Sequence, residues 1–212
     1  MKSLKSLQEL IFPTRCLGCL RLGLTICSQC RKYWHPHIYR QQSKNSPAIP
    51  IYSAIAYSTI SGKILLAAKE NGLTVADELM VGALLHALQY FLKEQGGNYL
   101  IPIPSRKSVS RKRGRQFVTF LAEQLSASTG LFVEENLTHL RKVRDQSSLD
   151  ARRRHENIAG SLVSMHYLNG RAIIIDDLVT TGATLQESVR ALRLSGIEVA
   201  GAVTACFAEP LR

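Results

Sequence analysis

Acidic side chains are scarce in this sequence of 212 residues. The chain has 16 aspartates and glutamates against 27 lysines and arginines, which gives a net charge of +11. This imbalance indicates an anionic partner, such as nucleic acid, a membrane surface or a polyphosphate. Aromatic residues make up only 7% of the chain, so the sequence shows no evident platform on which nucleic-acid bases would stack.

Long apolar runs are also missing. No stretch of the sequence approaches the roughly 20 apolar residues that a membrane-spanning helix needs. The first 13 residues contain Glu9 and no small-residue cleavage site, so we predict no signal peptide and expect a cytoplasmic protein. One side of a short amphipathic helix would carry Leu4, Leu7, Leu10 and Ile11. That helix either packs on the protein or contacts a membrane surface.

Cysteine is sparse outside one cluster. Two C-x-x-C pairs, separated by seven residues, supply Cys16, Cys19, Cys27 and Cys30. Two such pairs can place four thiolates tetrahedrally around zinc, which predicts a structural site with no open coordination position. Redox-active or disulfide-bonded thiols are the alternative interpretation. The fifth cysteine, Cys206, stands in an apolar stretch and is expected to be a small buried residue.

The chain divides into a cysteine-containing element over residues 1–36 and a main domain over residues 51–212. Residues 35–50 are polar and contain prolines, so we interpret them as a linker. From residue 98 onward, apolar strands alternate with helices, which predicts an α/β fold with a parallel sheet and helices on both faces. Residues 51–95 would form a hood over a core at 98–208. Thr74 and Asp77 resemble a capping pair in front of a helix over residues 75–93.

Two adjacent carboxylates follow the most apolar stretch of the chain, in the string IIIDDLVTTGATL at residues 173–185. In open parallel sheets, ligands bind beyond the carboxyl ends of the strands. Burying Asp176 and Asp177 without partners would be very costly, so we expect them to face a ligand with hydroxyls, a metal, or both.

Small residues connect this acid pair to the next predicted helix. Thr180, Thr181, Gly182 and Thr184 would let the backbone close around a bound group, and the first N–H groups of the helix favour an anion. The stretch therefore offers acceptors for sugar hydroxyls and donors for a phosphate. The chain has no G-x-x-x-x-G-K-[ST] motif, which excludes a P-loop ATPase.

The string AIIIDDLVTTGAT resembles the phosphoribosyl pyrophosphate (PRPP) binding motif of type I phosphoribosyltransferases. The resemblance implies that Asp176 and Asp177 are the catalytic acids and contact the ribose hydroxyls. It also implies a 5-phosphate site, and magnesium bound together with PRPP. The implied phosphate-binding residues are Thr180, Thr181, Gly182, Ala183 and Thr184.

Two basic segments, residues 105–117 and 141–157, are expected to form loops at the rim of the sheet. Departure of pyrophosphate requires neutralisation of its charge, for which arginine and lysine are suited; a solvated charge run is the alternative. In related transferases the later segment is a mobile lid. The candidate pyrophosphate and lid residues are Arg106, Lys107, Arg111, Arg113, Arg144, Gln146, Arg153 and Asn157.

The cysteine pairs, both basic segments and the acid-pair motif together resemble the ComF family over nearly the whole chain. The family's usual Arg-x-Arg-Gly-Phe-Asn-Gln motif is only partly present. Arg111, Arg113 and Gly114 match it, whereas the next three positions hold Arg115, Gln116 and Phe117. The resemblance implies a link to natural competence, in which single-stranded DNA enters the cytoplasm.

Two functions are consistent with these features. One is an enzyme that transfers phosphoribose from PRPP to an unidentified acceptor and releases pyrophosphate. The other is a non-catalytic protein that binds single-stranded DNA, works with a competence helicase, and uses the PRPP fold for binding or sensing; its DNA binding would weaken with salt. The sequence leaves the oligomeric state open, including a homodimer.

Overall fold

The computed structural model describes residues 14–140 and 158–208, which contain six helices and eight strands. The amphipathic helix expected at residues 4–11 lies outside the described residues. The helices are α1 Ser28–Arg31, α2 Thr59–Lys69, α3 Thr74–Glu94, α4 Lys107–Arg113, α5 Phe117–Thr129 and α6 Ala183–Leu194. The strands are β1 Tyr39–Gln42, β2 Pro50–Ala56, β3 Tyr99–Pro102, β4 Phe132–Val133, β5 Leu137–His139, β6 Leu162–Ser164, β7 Arg171–Val179 and β8 Glu198–Phe207.

The described residues form a six-stranded sheet in the order β1-β2-β8-β7-β3-β4. Its strands are parallel except β1, which pairs antiparallel with β2. The predicted parallel α/β fold is confirmed, but the interpretation of residues 35–50 as a linker is wrong in part. Tyr39–Gln42 alternates between partly buried and exposed residues and pairs with Pro50–Ser53 at the edge of the sheet. An edge strand needs a partner on one side only, so its sequence can remain polar.

Helices cover both faces of the sheet, as the sequence predicts. Along β7, Ile173 and Ile175 belong to the apolar cluster that includes α2, α3 and α5. Ala172 and Ile174 belong to a second cluster that includes α6. The alternation follows from the period of two in a strand, and burial on both sides explains why the segment is continuously apolar.

By length and composition alone, α3 could cross a membrane. Its packing accounts for the same composition, because α3 lies against β2, β8 and α2. Met80, Leu84 and Leu88 are fully buried in the cluster that these elements share. A helix that packs several sides into a protein core is expected to be this apolar.

The start of α3 differs from the sequence prediction. The cap residue is Leu73, which makes no side-chain capping bond, so the predicted pairing of Thr74 with Asp77 does not occur. The Asp77 side chain instead accepts two hydrogen bonds from the guanidinium of Arg115, both of 2.7 Å. Arg115 also donates to the carbonyl oxygen of Ala68 at 2.7 Å and lies over the ring of Phe120. Arg115 therefore joins the ends of α2, α3 and α5.

Replacing Arg115 with methionine is expected to lower the free energy of unfolding by about 3–5 kcal/mol, because the Asp77 carboxylate would stay buried without its partner. Urea denaturation measures the loss. The matched control is Arg113→Met, whose partner Glu70 is far more exposed and should cost about 1 kcal/mol or less. Adding Asp77→Leu to Arg115→Met should restore part of the stability. Equal losses in the two single variants would contradict this assignment.

Candidate functional site

The acid pair, Asp176 and Asp177, lies on a part of β7 that has a neighbouring strand on one side only. Strand β7 continues to Val179 and pairs along its length with β8, whereas β3 ends with Pro102 opposite Ile175. The sequence predicts both acids at the end of the strand, but the strand runs past them because β8 supplies hydrogen-bond partners there. The N–H of Asp177 donates to Oδ1 of Asp176 at 2.8 Å. The acid pair therefore lies beyond the carboxyl end of β3, at the edge where ligands bind in such sheets.

A cavity of about 470 Å³ opens over the acid pair. Apart from apolar side chains, its wall contains groups that can donate or accept hydrogen bonds: Lys69, Ser105, Asp176, Asp177, Thr180 and Thr184. Carboxylates and hydroxyls thus face a common space. The arrangement can bind a polar ligand that has several hydroxyl groups.

The loop of residues 180–184, called here the phosphate loop, leads directly from the acid pair into α6. Gly182 is the cap residue of α6 and has a φ of +77°, a conformation that side-chain-bearing residues rarely adopt. Asp176 and residues 180–184 line a small concavity of about 30 Å³. The first N–H groups of a helix have no partner within the helix and favour an anion. The structure thus brings together the five residues predicted to bind phosphate.

Lys69 completes the site, and the sequence analysis did not identify it. It is the last residue of α2, and its ammonium group forms an ion pair with Oδ2 of Asp177, whose side chain is only 4% exposed. Burial acts to lower the pKa of Lys69, but the charges of Asp177 and Asp176 outweigh it, and the pKa is raised. Burial and the adjacent Asp177 raise the pKa of Asp176 well above its ordinary value. The positive charge of Lys69 acts in the opposite direction on the pKa of Asp176 and so offsets part of the repulsion between the two acids.

Part of the chain matches a known family. Residues 111–210 match the family model of the phosphoribosyl transferase domain, a segment that includes the acid pair and the phosphate loop. This segment has the fold of a phosphoribosyl transferase domain. A solved structure similar to this chain is the orotate phosphoribosyltransferase from Aeropyrum pernix, at 16% identity and a TM-score of 0.41 over 79% of this chain and 73% of that one. No curated protein matches the chain.

In this phosphoribosyltransferase fold, Gln116 positions the segment that follows β3. Its side-chain oxygen accepts a hydrogen bond from the N–H of Ser105 at 3.0 Å, and its amide nitrogen donates to the carbonyl oxygen of Ser105 at 3.4 Å. Ser105 lines the cavity over the acid pair. Gln116 was recognised in the sequence only as a departure from the ComF motif, and its contact could not be read from the sequence because it depends on where β3 ends.

The basic segment at residues 105–117, predicted to be a loop, contains the short helix α4. Arg106, Lys107 and Arg111 line a second cavity of about 950 Å³, which shares Pro104 and Ser105 with the first. These three predicted pyrophosphate residues are thus brought to the rim of the phosphoribosyltransferase fold. Arg113 points elsewhere, because Glu70 pairs with it through two hydrogen bonds. The predicted lid residues Arg144, Gln146, Arg153 and Asn157 lie outside the described residues.

The four clustered cysteines meet, as predicted from their spacing: their sulfur atoms all lie within 4.8 Å of one another. No disulfide joins cysteines in the described ranges, and the sulfurs of Cys19 and Cys27 are 3.6 Å apart. Four thiolates bound tetrahedrally at about 2.3 Å from zinc lie at similar separations. Burial and the neighbouring cysteines raise the pKa of Cys30 to about 12, so four thiolates would need a cation between them.

This cysteine element, residues 16–30, is packed onto α2. Cys16 and Cys30 are buried in the apolar cluster that also contains Trp34 and residues of α2. A methyl group added at Gly18 would lie 2.7 Å from the sulfur of Cys30 and 2.9 Å from a side-chain carbon of Ile60, so only glycine fits there. Lys63 donates to the carbonyl oxygen of Gly18 at 3.1 Å. Cys206, by contrast, is buried in the main core, as its sequence context predicts.

Proposed function

We propose that this protein binds PRPP and transfers its phosphoribosyl group to an unidentified acceptor, with release of pyrophosphate. One observation carries the proposal: the acid pair at the open end of β7 is joined directly to the phosphate loop at the start of α6. The first element supplies acceptors for ribose hydroxyls, and the second supplies donors for a 5-phosphate. The match to the phosphoribosyl transferase domain supports the same ligand.

Each group of the site has a role in this reaction. The carboxylates of Asp176 and Asp177 accept hydrogen bonds from the ribose hydroxyls and hold the sugar over the end of the sheet. The phosphate loop binds the 5-phosphate, and this contact fixes the orientation of the ribose ring. The bond from the anomeric carbon to pyrophosphate breaks and a bond to the acceptor forms there. Arg106, Lys107 and Arg111 line the adjoining cavity, and we assign to them the stabilisation of the departing pyrophosphate.

Magnesium fits this site together with PRPP, because Asp176 and the hydroxyl of Thr180 are oxygen ligands of the kind it prefers and PRPP would supply further oxygens. When bound with PRPP, it would neutralise charge on the pyrophosphate group. We also propose zinc at the cysteine element, held by Cys16, Cys19, Cys27 and Cys30. With four thiolates in place the zinc would have no open position, which makes its role structural.

A thermal-shift measurement with PRPP and magnesium tests the proposed function. A ligand bound only by the native state stabilises it by about 2.7 kcal/mol at about 100 times Kd. For a chain of this size, that raises Tm by roughly 5–10 °C. Pyrophosphate and ribose 5-phosphate, added separately, should give smaller shifts because each engages part of the site. A Tm unchanged by PRPP at millimolar concentration would contradict the proposal.

Binding of single-stranded DNA is a second candidate function, favoured by the net charge of +11 and by the exposed Lys107, Arg111 and Lys112 of α4. The resemblance to the ComF family links it to competence, a helicase and a cytoplasmic location. Contacts with phosphates release counter-ions, so affinity should fall steeply with salt. Fluorescence anisotropy with a labelled oligonucleotide at two salt concentrations tests this. Absent or salt-insensitive binding would exclude it.

A further inference from the structure

The position of Lys69 is fixed by the helix that carries it. It ends α2, a helix that begins with a capping box in which the Ser58 hydroxyl accepts from the N–H of Ser61 at 3.1 Å. Lys63, earlier on the same helix, donates a hydrogen bond to the cysteine element. The end of a helix carries partial negative charge, which favours a lysine there. The ammonium group of Lys69 is therefore held against the acid pair before any ligand arrives.

We propose that Lys69 is a specificity-determining residue that keeps free divalent cations off the acid pair while leaving it able to bind sugar hydroxyls. The inference rests on the proposed function only in naming the ligand as a sugar phosphate. Asp177 is nearly fully buried, and its Oδ2 is occupied by the Lys69 ammonium. A bare cation at the acid pair would have to share Asp177 with the Lys69 ammonium and would meet that positive charge at close range.

Sugar hydroxyls meet no such obstacle. They are neutral donors, and each carboxylate oxygen has more than one lone pair, so hydroxyls can bind Asp176 and Asp177 without displacing Lys69. The neighbouring basic group Arg113 does not duplicate the role, because Glu70 holds it through two hydrogen bonds. Among the described residues, Lys69 is the lysine or arginine that forms an ion pair with the acid pair.

Direct binding of Mn²⁺ to the full chain, measured by electron paramagnetic resonance with zinc already at the cysteine element, tests the inference without any sugar. The wild-type chain should bind Mn²⁺ weakly. Lys69→Met removes the opposing charge and should tighten Mn²⁺ binding by roughly tenfold or more. Lys69→Arg keeps the charge and should behave as the wild type. If Lys69→Met fails to fold, Lys69→Gln carries the same expectation, because it keeps a hydrogen-bond donor to Asp177.

Two controls locate the effect. Lys93→Met removes the same charge from the exposed end of α3 and should leave Mn²⁺ binding unchanged. Adding Asp176→Asn to Lys69→Met should abolish the gained binding, which would place it at the acid pair. Equal Mn²⁺ affinity in wild type and Lys69→Met would overturn the inference even where PRPP binds. A wild-type chain that ignores PRPP would overturn the proposed function and leave the Mn²⁺ comparison intact.

Discussion

The double variant Asp176→Asn, Asp177→Asn is expected to bind PRPP with magnesium at least about 100-fold more weakly than the wild type. A hydrogen bond to a charged group contributes about 1.5–3 kcal/mol, which corresponds to roughly 10- to 100-fold in affinity for each acid. Each amide also presents an N–H₂ donor at the place where a ribose hydroxyl would donate. Two donors would then face each other, which lowers the affinity further. Isothermal titration calorimetry measures the change.

The matched control is Glu123→Gln, the same exchange of acid for amide on an exposed part of α5. It should leave PRPP affinity unchanged within experimental error. Binding of single-stranded DNA, where it occurs, should persist or strengthen in the double variant because two negative charges are lost. PRPP affinity that survives the double substitution would mean that the sugar lies elsewhere, and the proposed roles of the acid pair would have to be abandoned.

Loss of the proposed zinc from the cysteine element is expected to have the largest effect on stability. Apparent binding free energies of structural zinc are about 10–16 kcal/mol in small metal-dependent domains, where they act as folding free energy. Cys16 and Cys30 belong to the apolar cluster that includes α2, so an opened element would also expose part of that cluster. We expect Cys30→Ser, or treatment with a strong chelator, to lower Tm by roughly 10 °C or more.

Metal content measured together with Tm separates loss of zinc from loss of packing. The wild-type chain should release one zinc ion to a chromogenic chelator, and Cys30→Ser should release none. Cys206→Ala is the matched control: it removes a buried thiol outside the cysteine element and should retain one zinc ion. Purified wild-type protein without bound metal, and with a Tm that the chelator leaves unchanged, would show that the element is held together by packing alone.

Features that depend on local pattern could be predicted from the sequence. The isoleucines of β7 predicted a buried strand because of their periodicity. The small residues after Asp177 predicted the start of a helix because of their backbone freedom. The convergence of the four cysteines followed from their spacing, with the metal itself still a prediction.

Features that depend on distant partners could not be predicted. Strand β1 is polar and becomes a strand only because β2 lies beside it. Asp77 has the position of a capping residue, yet it pairs with Arg115, which the sequence places far away. No local pattern distinguishes Lys69 from the other lysines, because only the fold brings it to Asp177. In each case the deciding interaction is tertiary, and no local pattern contains it.

The outermost strands have a consequence for self-association. On one side the sheet ends with β1, which has four residues, three of them polar or charged, and on the other with β4, which has only two residues. Neither offers the long row of unpaired N–H and C=O groups that lets a second chain extend a sheet. A dimer of this protein is therefore not expected to form by extension of the six-stranded sheet, and its formation should not depend on β1 or β4.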